Sequence, residues 1–202
     1  WSEKMNTQVI NPSLSIHDDG LLEGGMSSGS RDGEGVPRRQ QALVEDGRLT
    51  SMLWSTRDAA QQVAEGRIDR AQSTGSATSG GHQSPPSTGC TELFLTSTQP
   101  AQSTDQLLER MGDGYIVNSV MGAHTANPSS GDFSVTTSSI LKVEGGEIVG
   151  ALKQAGLSGN LAKALNGPVV LGQEVRRQGS YSSGSMHLPD VLLMDGLRIN
   201  PA

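Results

Sequence analysis

Large rings are scarce in this chain: two Phe, two Trp and two Tyr among 202 residues, 3% aromatic in all. With 26 glycines and Ser and Thr in nearly every segment, that scarcity argues for turn-rich β structure and against a helix bundle. Cysteine is almost absent. Cys90 stands alone, which excludes an intrachain disulfide and a multi-cysteine zinc site and points to a reducing compartment. No apolar run approaches the roughly 20 residues of a membrane span, and no basic-then-apolar signal segment opens the chain. The expected protein is therefore soluble and cytoplasmic, with no membrane association.

Positive charge is also short. Fifteen Lys and Arg against 21 Asp and Glu give a net charge of -6 and a pI near 5.1. Phosphate backbones need clustered cations, and the densest here are the pairs Arg38-Arg39 and Arg176-Arg177, so direct nucleic-acid binding is not expected. Catalytic signatures are missing as well. There is no H-E-x-x-H pair, no G-x-S-x-G elbow, no phosphate loop and no dinucleotide fingerprint. His17, His82, His124 and His187 are solitary, and only His17 has neighbouring carboxylates, in the turn-like His17-Asp18-Asp19-Gly20; His124 and His187 read as ordinary loop residues. Cys90, followed closely by Leu93 and Phe94, reads as a semi-buried packing thiol.

What is present is punctuation. Three pairs of apolar runs fold around glycine turns: residues 41–54 about Asp46-Gly47, 140–152 about Gly145-Gly146, and 191–199 about Asp195-Gly196. Helices are expected at 56–65, with Thr56 as cap and Gly66 as stop, at 103–111, and at 158–165. A strand is expected at 92–96. The predicted fold is α+β and β-rich, with antiparallel sheets forming a sandwich or barrel-like core and a few short peripheral helices. Residues 71–89 are low in complexity and read as a long surface loop. The chain starts at Trp1 and not at a methionine, so residues 1–202 are expected to be a fragment of a longer polypeptide.

Two stretches invite a binding role. Asp32-Gly33-Glu34-Gly35 places two carboxylates in one turn before Arg38 and Arg39; it reads either as an acidic loop for a peptide amine or as a solvated turn. Asn127-Pro128 to Asp132, followed by Phe133 and Ser134, opens as a turn and closes as an alternating strand. No residue of the chain is expected to act catalytically or to bind a metal.

In order along the chain, residues 15–25 (SIHDDGLLEGG), 31–54 (RDGEGVPRRQQALVEDGRLTSMLW), 112–150, 157–165 (LSGNLAKAL) and 187–199 (HLPDVLLMDGLRI) resemble the carboxy-terminal half of the TldD/PmbA proteins. These have been called modulators of DNA gyrase and regarded as peptidases. The resemblance implies a two-subunit cytoplasmic metallopeptidase acting on peptides or unfolded proteins. It further implies that zinc in the TldD-like subunit is held by an H-E-x-x-x-H helix preceding the region equivalent to Trp1, and by a cysteine near the carboxy terminus. Here residues 178–188 read QGSYSSGSMHL, without cysteine, which resembles the PmbA or TldE-like subunit.

The resemblance therefore implies a non-catalytic subunit domain with no cofactor of its own. Zinc is expected in a TldD-like partner, with which, or with a second copy, the chain forms an oligomer. It also implies that Asp32, Glu34, Asn127, Gly131, Asp132, Phe133 and Ser134 help shape a groove for a peptide or partner; the bare alternative for each is a well-made bend. Two rival readings are the wall of a catalytic peptidase whose metal motif lies before Trp1, and a β-rich interaction module with no peptidase role.

Overall fold

The computed structural model of the chain describes residues 2–79, 81–179 and 184–201. Trp1, and Ser180 to Ser183 of the cysteine-free segment, lie outside the described residues. The elements run β1 (Leu14–Asp19), β2 (Gln40–Glu45), β3 (Arg48–Leu49), α1 (Thr56–Ala64), β4 (Ala77–Thr78), β5 (Ser87–Thr88), β6 (Glu92–Ser97), α2 (Thr104–Met111) and β7 (Gly114–Met121). They continue with β8 (Asp132–Glu144), β9 (Glu147–Leu152), β10 (Ala155–Asn160), α3 (Leu161–Asn166), β11 (Val169–Gly179), β12 (Ser185–Leu193) and β13 (Leu197–Pro201). Single 3-10 turns occur at Ser2–Lys4 and Ala123–Thr125.

The β-rich α+β class with few short helices is the one expected. A six-stranded sheet has the order β11-β12-β6-β1-β2-β3, and a five-stranded one the order β13-β10-β8-β7 with β9 also on β8. Neither closes into a barrel. The pairing is not antiparallel throughout: β12 runs parallel to β6 through Ser185↔Glu92, Met186↔Leu93 and His187↔Phe94.

Two of the three expected hairpins form. Asp46 and Gly47 both take positive φ (46° and 75°) between β2 and β3, and Gly145 and Gly146 do the same (57° and 82°) between β8 and β9. That conformation matches the twist of the flanking strands. The third is not a hairpin. After Asp195-Gly196 the chain enters the other sheet, where Leu197 pairs with Gly159 of β10. Gly196 is wedged against α3, with an added Cβ 2.9 Å from the Ala164 backbone, so the bend follows that helix instead of folding β13 back on β12.

The helices at 56–64 and 104–111 lie where expected, each closed by a reciprocal capping box. The cap of α1 is Ser55, one residue earlier than expected, because the Asp58 carboxylate reaches back to it. The third helix starts later than expected: Ser158 to Asn160 finish β10, and Asn160 caps α3 by accepting from the Lys163 amide. On α2, Leu107 packs with Val170 and Leu192, and Met111 joins them.

The chain divides into two compact units, one of Trp1–Gln8, Pro12–Thr98 and Val175–Pro189, the other of Val9–Asn11, Gln99–Glu174 and Asp190–Ala202. The second has an aliphatic interior that includes Ile140, Val143, Ala155 and Val170. The first buries Leu14, Val44, Leu49 and Ala59 but also most of the buried polar groups described: Asp18, Asp32, Ser55, Thr74, Ser76, Thr91, Glu92 and Ser185 among them. Among the described residues, no helix is long and apolar enough to cross a membrane.

Within the stretch 71–89, residues 74–77 depart from the reading as a surface loop, while 81–85 are exposed. Thr74, Ser76 and Ala77 are buried, and β4 pairs with β5 inside it. A segment with little apolar surface can still be ordered when its hydroxyls and amides are all paired. Thr74 Oγ1 accepts from the Trp54 amide at 2.6 Å, Ser76 Oγ accepts from Gln41, and Arg39 donates to the carbonyls of Ser73 and Thr74.

Gly75 makes this close approach possible. Its φ is +72°, and an added Cβ would fall 2.4 Å from the Pro37 carbonyl oxygen. Gly35 has a similar φ of +79° with open space around it. Gly35→Ala should therefore cost only the left-handed backbone penalty of about 1 kcal/mol. Gly75→Ala adds a backbone clash and should lower the urea midpoint of the full-length protein several times further. Equal shifts in the two variants would show that 73–77 is not packed against 37–38.

Candidate functional site

The seven residues singled out from sequence fall in different units, Asp32 and Glu34 in the first and the other five in the second. Asp32 is buried. Its Oδ1 accepts from the amides of Glu34 and Val36 at 2.9 Å each, and its Oδ2 from the Ala77 amide at 3.0 Å. Glu34 Oε2 accepts from the Thr56 amide at 2.7 Å, at the start of α1, where a negative charge also meets the positive end of the helix dipole. Both carboxylates are thus engaged with backbone donors.

Around the Asn127 corner, Asn127 Oδ1 accepts from the amides of Ser129 and Ser130, and the Gly131 amide donates to the Asn127 carbonyl with Gly131 at φ +79°. Asn160 ties this corner to α3. Its Nδ2 donates to the Ser130 carbonyl at 2.9 Å and to Asp132 Oδ1 at 2.8 Å. The Asn160 amide, then the Ser130 hydroxyl, hold the Asp132 carboxyl below its ordinary value. Phe133 is half-buried and pairs with Gly159, and Ser134 is exposed and pairs with Ser158.

Sequence reading missed a cluster of buried and half-buried ionisable groups in the first unit. β1, β6 and β12 bring His17, Phe94 and His187 into one row across the sheet. Phe94 stacks on both imidazoles, with centroids 4.9 Å from His17 and 4.2 Å from His187 and planes within 5° and 8° of parallel. His187 Nε2 lies 2.7 Å from Oε2 of Glu92, a carboxylate with no solvent exposure. The other oxygen, Oε1, accepts from the Ser27 amide at 2.8 Å. His187, expected in a loop, is therefore a strand residue with a fixed partner.

Glu92 and Asp18 are both buried acids with opposite titration behaviour. Desolvation pushes Glu92 up, but the Ser27 amide, the His187 ring and the Ser185 hydroxyl together hold it below the ordinary glutamate range. Asp18 Oδ1 accepts from the amides of Thr91 and Glu92 at 2.6 and 3.0 Å, yet desolvation outweighs these bonds and the nearby Arg38 charge, and its carboxyl is raised. Burial, then the Asp18 charge, push the half-buried Cys90 thiol up, which opposes a nucleophilic role. The sequence signal for this cluster is faint: an acid opening the apolar strand ELFL. Its partners lie 65 to 95 residues away in the chain.

These donors do not suit zinc. A tetrahedral ion needs lone pairs that converge at about 2.0–2.3 Å. Imidazole lone pairs lie in the ring plane, and the rings of His17 and His187 are near-parallel layers separated by Phe94, while His187 Nε2 is already on Glu92. Among the described residues no three or more His, Cys, Asp or Glu converge on a common point.

A family profile described as the PmbA/TldA metallopeptidase C-terminal domain matches residues 1–200. An uncharacterized protein of Methanocaldococcus jannaschii is 30% identical over 184 residues, 91% of this chain and 40% of its own length. A metalloprotease TldD homolog of Haemophilus influenzae is 27% identical over 160 residues, 79% of this chain and 31% of its own. Among solved structures, TldE from Thermococcus kodakarensis superposes with a TM-score of 0.79 at 22% identity, covering 98% of this chain and 42% of that one. A protein described as a modulator of a DNA gyrase, from Thermotoga maritima, gives 0.77 at 30% identity, covering 98% and 41%. The chain thus spans about two fifths, or less, of the length of these relatives.

Asn160→Ala removes a helix cap and should cost about 1 kcal/mol; in the same variant the Asp132 carboxyl, followed by NMR titration, should move up toward its ordinary value. No movement would mean that Asn160 does not hold Asp132.

Glu92→Gln should cost about 1–3 kcal/mol near neutral pH, because a charged acceptor shared by three donors becomes a neutral one. A depressed folded-state value gives stability that is present above the unfolded glutamate value and lost as pH falls through the folded one. The gap between wild type and Glu92→Gln should therefore close on acidification. Asp18 has the opposite sign: its raised value costs stability at neutral pH, and the cost is relieved as pH falls toward the unfolded aspartate value. Asp18→Asn should accordingly gain relative to wild type as pH rises. Urea midpoints across the acid range test both, and a gap that widens for Glu92→Gln in acid would refute the assignment.

Proposed function

The chain belongs to the PmbA/TldA metallopeptidase C-terminal domain family, and from that premise we propose that it is a non-catalytic, TldE-like subunit domain of a two-subunit peptidase. In this reading it pairs with a zinc-bearing, TldD-like partner and helps to hold an extended peptide or unfolded segment in a cytoplasmic complex. One observation carries the reading: His17 and His187 of the first unit are stacked on Phe94, and the imidazole facing Glu92 is already hydrogen-bonded to it. Both are committed to architecture, with nitrogens that do not converge.

Peptide holding is supported by the strand edges. β7 is an edge of the five-stranded sheet, and its last four residues, Asn118 to Met121, are exposed. An added strand can bond to such an edge through main-chain groups whatever its sequence. The Asn127–Ser134 corner shapes the scaffold of the second unit, and Asp32 and Glu34 that of the first; in this reading they position groove walls and take no part in proton transfer.

The relatives named metalloproteases keep a second reading open, in which this domain walls a catalytic centre supplied by the remainder of its own polypeptide. One experiment separates the two. The full-length protein is purified alone and with a co-expressed TldD-like partner, analysed for zinc by mass spectrometry, and assayed on an unfolded peptide. We expect the pair to associate, with zinc and cleavage accompanying the partner only. Stoichiometric zinc and cleavage by the full-length protein alone would overturn the proposal.

A further inference from the structure

The first unit contains an open cavity of about 380 Å³ lined by Arg39, Gln40, Gln41, Ser51, Gln72 and Thr74. The volume lies within the range of about 300–1,000 Å³ usual for small-ligand sites. Its lining is unusual for such a site. Every residue is polar, none is a carboxylate, and one is a cation.

That cation is held in place. Arg39 is half-buried, its Nε donating to the Thr74 carbonyl at 3.0 Å and its Nη2 to the Ser73 carbonyl at 2.7 Å. Two consecutive backbone carbonyls, in the irregular segment before β4, fix the plane of the guanidinium. A guanidinium carries five N–H donors, so most of its capacity remains for another group. Among the described residues no carboxylate pairs with it. Asp19, which pairs with Gln40 across the sheet, accepts from the Leu21 amide at 2.9 Å and from the Gln40 side-chain amide at 3.4 Å. The chain carries 21 acidic residues and a net charge of -6, yet half-buried Arg39 has two carbonyl oxygens as its partners among the described residues. A partly desolvated charge is costly unless an opposite charge meets it.

The shape of the donor selects the ligand. A fixed guanidinium fork matches a planar carboxylate through two parallel bonds. A single positive charge rimmed by neutral amides and hydroxyls balances a monoanion better than a phosphate dianion. We propose that the Arg39 cavity is a carboxylate-binding pocket for a peptide, its guanidinium meeting both oxygens with Gln72 and Ser51 at the rim. The choice of a peptide as ligand rests on the peptide-holding reading above. The carboxylate can come from a chain terminus or from an Asp or Glu side chain, and the test separates these.

The test is calorimetric titration of the full-length protein with four probes: Ala-Ala-Ala as the free acid, the same peptide as its carboxy-terminal amide, N-acetyl-Ala-Glu-Ala amide, and inorganic phosphate. Wild type is compared with Arg39→Gln and Gln72→Glu. Gln72 is exposed and lines the same cavity, and among the described residues it has no hydrogen-bond partner, so its substitution puts a competing negative charge beside Arg39 without removing such a bond. The expected result is that a peptide carrying a carboxylate binds and that both variants weaken it at least tenfold, about 1.4 kcal/mol. Binding of the free acid but not of the amide assigns the terminus; binding of the Glu peptide alone assigns the side chain.

Equal binding of acid and amide, unchanged binding in Gln72→Glu, phosphate binding more tightly than every carboxylate peptide, or no binding by any probe would each overturn the proposal. If Arg39→Gln loses the fold, Gln72→Glu decides by itself. Partner association and zinc content report on the subunit reading independently, so failure of this pocket is distinguishable from failure of that reading.

Discussion

The first unit depends on buried carboxylates that accept hydrogen bonds from backbone amides. A loop entering a core brings N–H groups that must be paired, and a carboxylate is the side chain that satisfies several at once. Asp32 takes three amides, Asp18 takes two, and Glu92 takes the Ser27 amide together with His187. Burying these charges is costly in isolation, and it becomes tolerable because each has multiple donors. The same bonds bring distant segments together: the turn at 32–36 to residue 77, the glycine-rich stretch at 27 to β6, and the end of β1 to residues 91 and 92. A chain with so few aromatic rings is thereby held by polar joints where a larger apolar core is not available.

The second unit is built differently. β8 buries Val135, Thr137, Ile140 and Val143 at points along its thirteen residues, and most of the residues the unit buries are aliphatic. Thr137, the buried polar residue described there, exchanges two hydrogen bonds with Ala155 across to β10. Local signals decide more of this unit, because glycine turns and helix caps set where each strand stops. The Asn127 corner follows the same pattern. Its side-chain bonds are short-range, and Asn160 links it to α3 by capping the helix and holding Asp132 with one side chain.

That difference explains what can be read in the sequence. The turns at Asp46-Gly47 and Gly145-Gly146 are legible because two-residue loops demand those residues, and α1 and α2 because their caps are local. Asp195-Gly196 mimics a hairpin because the same dipeptide bends a chain toward any partner, and the contact with Ala164 that decides the direction is not local. Residues 73–77 pass for a surface loop because low hydrophobicity argues for solvent only when hydroxyls lack internal partners. Glu92 is hidden for a related reason: an acid at the head of an apolar strand reads as its solvated end, and nothing within the stretch announces His187 as its partner. The resemblance along the whole chain identifies the family where local patterns cannot, since the order of ordinary pieces is more specific than any one of them.

Commitment of side chains links this architecture to function. A carboxylate occupied by several donors is a poor general base, since taking a proton would break the bonds that place it. Asp32 and Glu92 are in that position, and the stacked imidazoles beside Phe94 are held in planes that do not share a focus. Arg39 contrasts with them, because the carbonyls that hold it leave most of its donors unused and, among the described residues, no acid of its own unit neutralises it. In a fold that many chemistries can occupy, function follows from which groups the architecture leaves over. Here the buried acids and the stacked imidazoles of the first unit hold its segments together, and a positioned cation with capacity for an anion is left, the arrangement on which the proposed holding role rests.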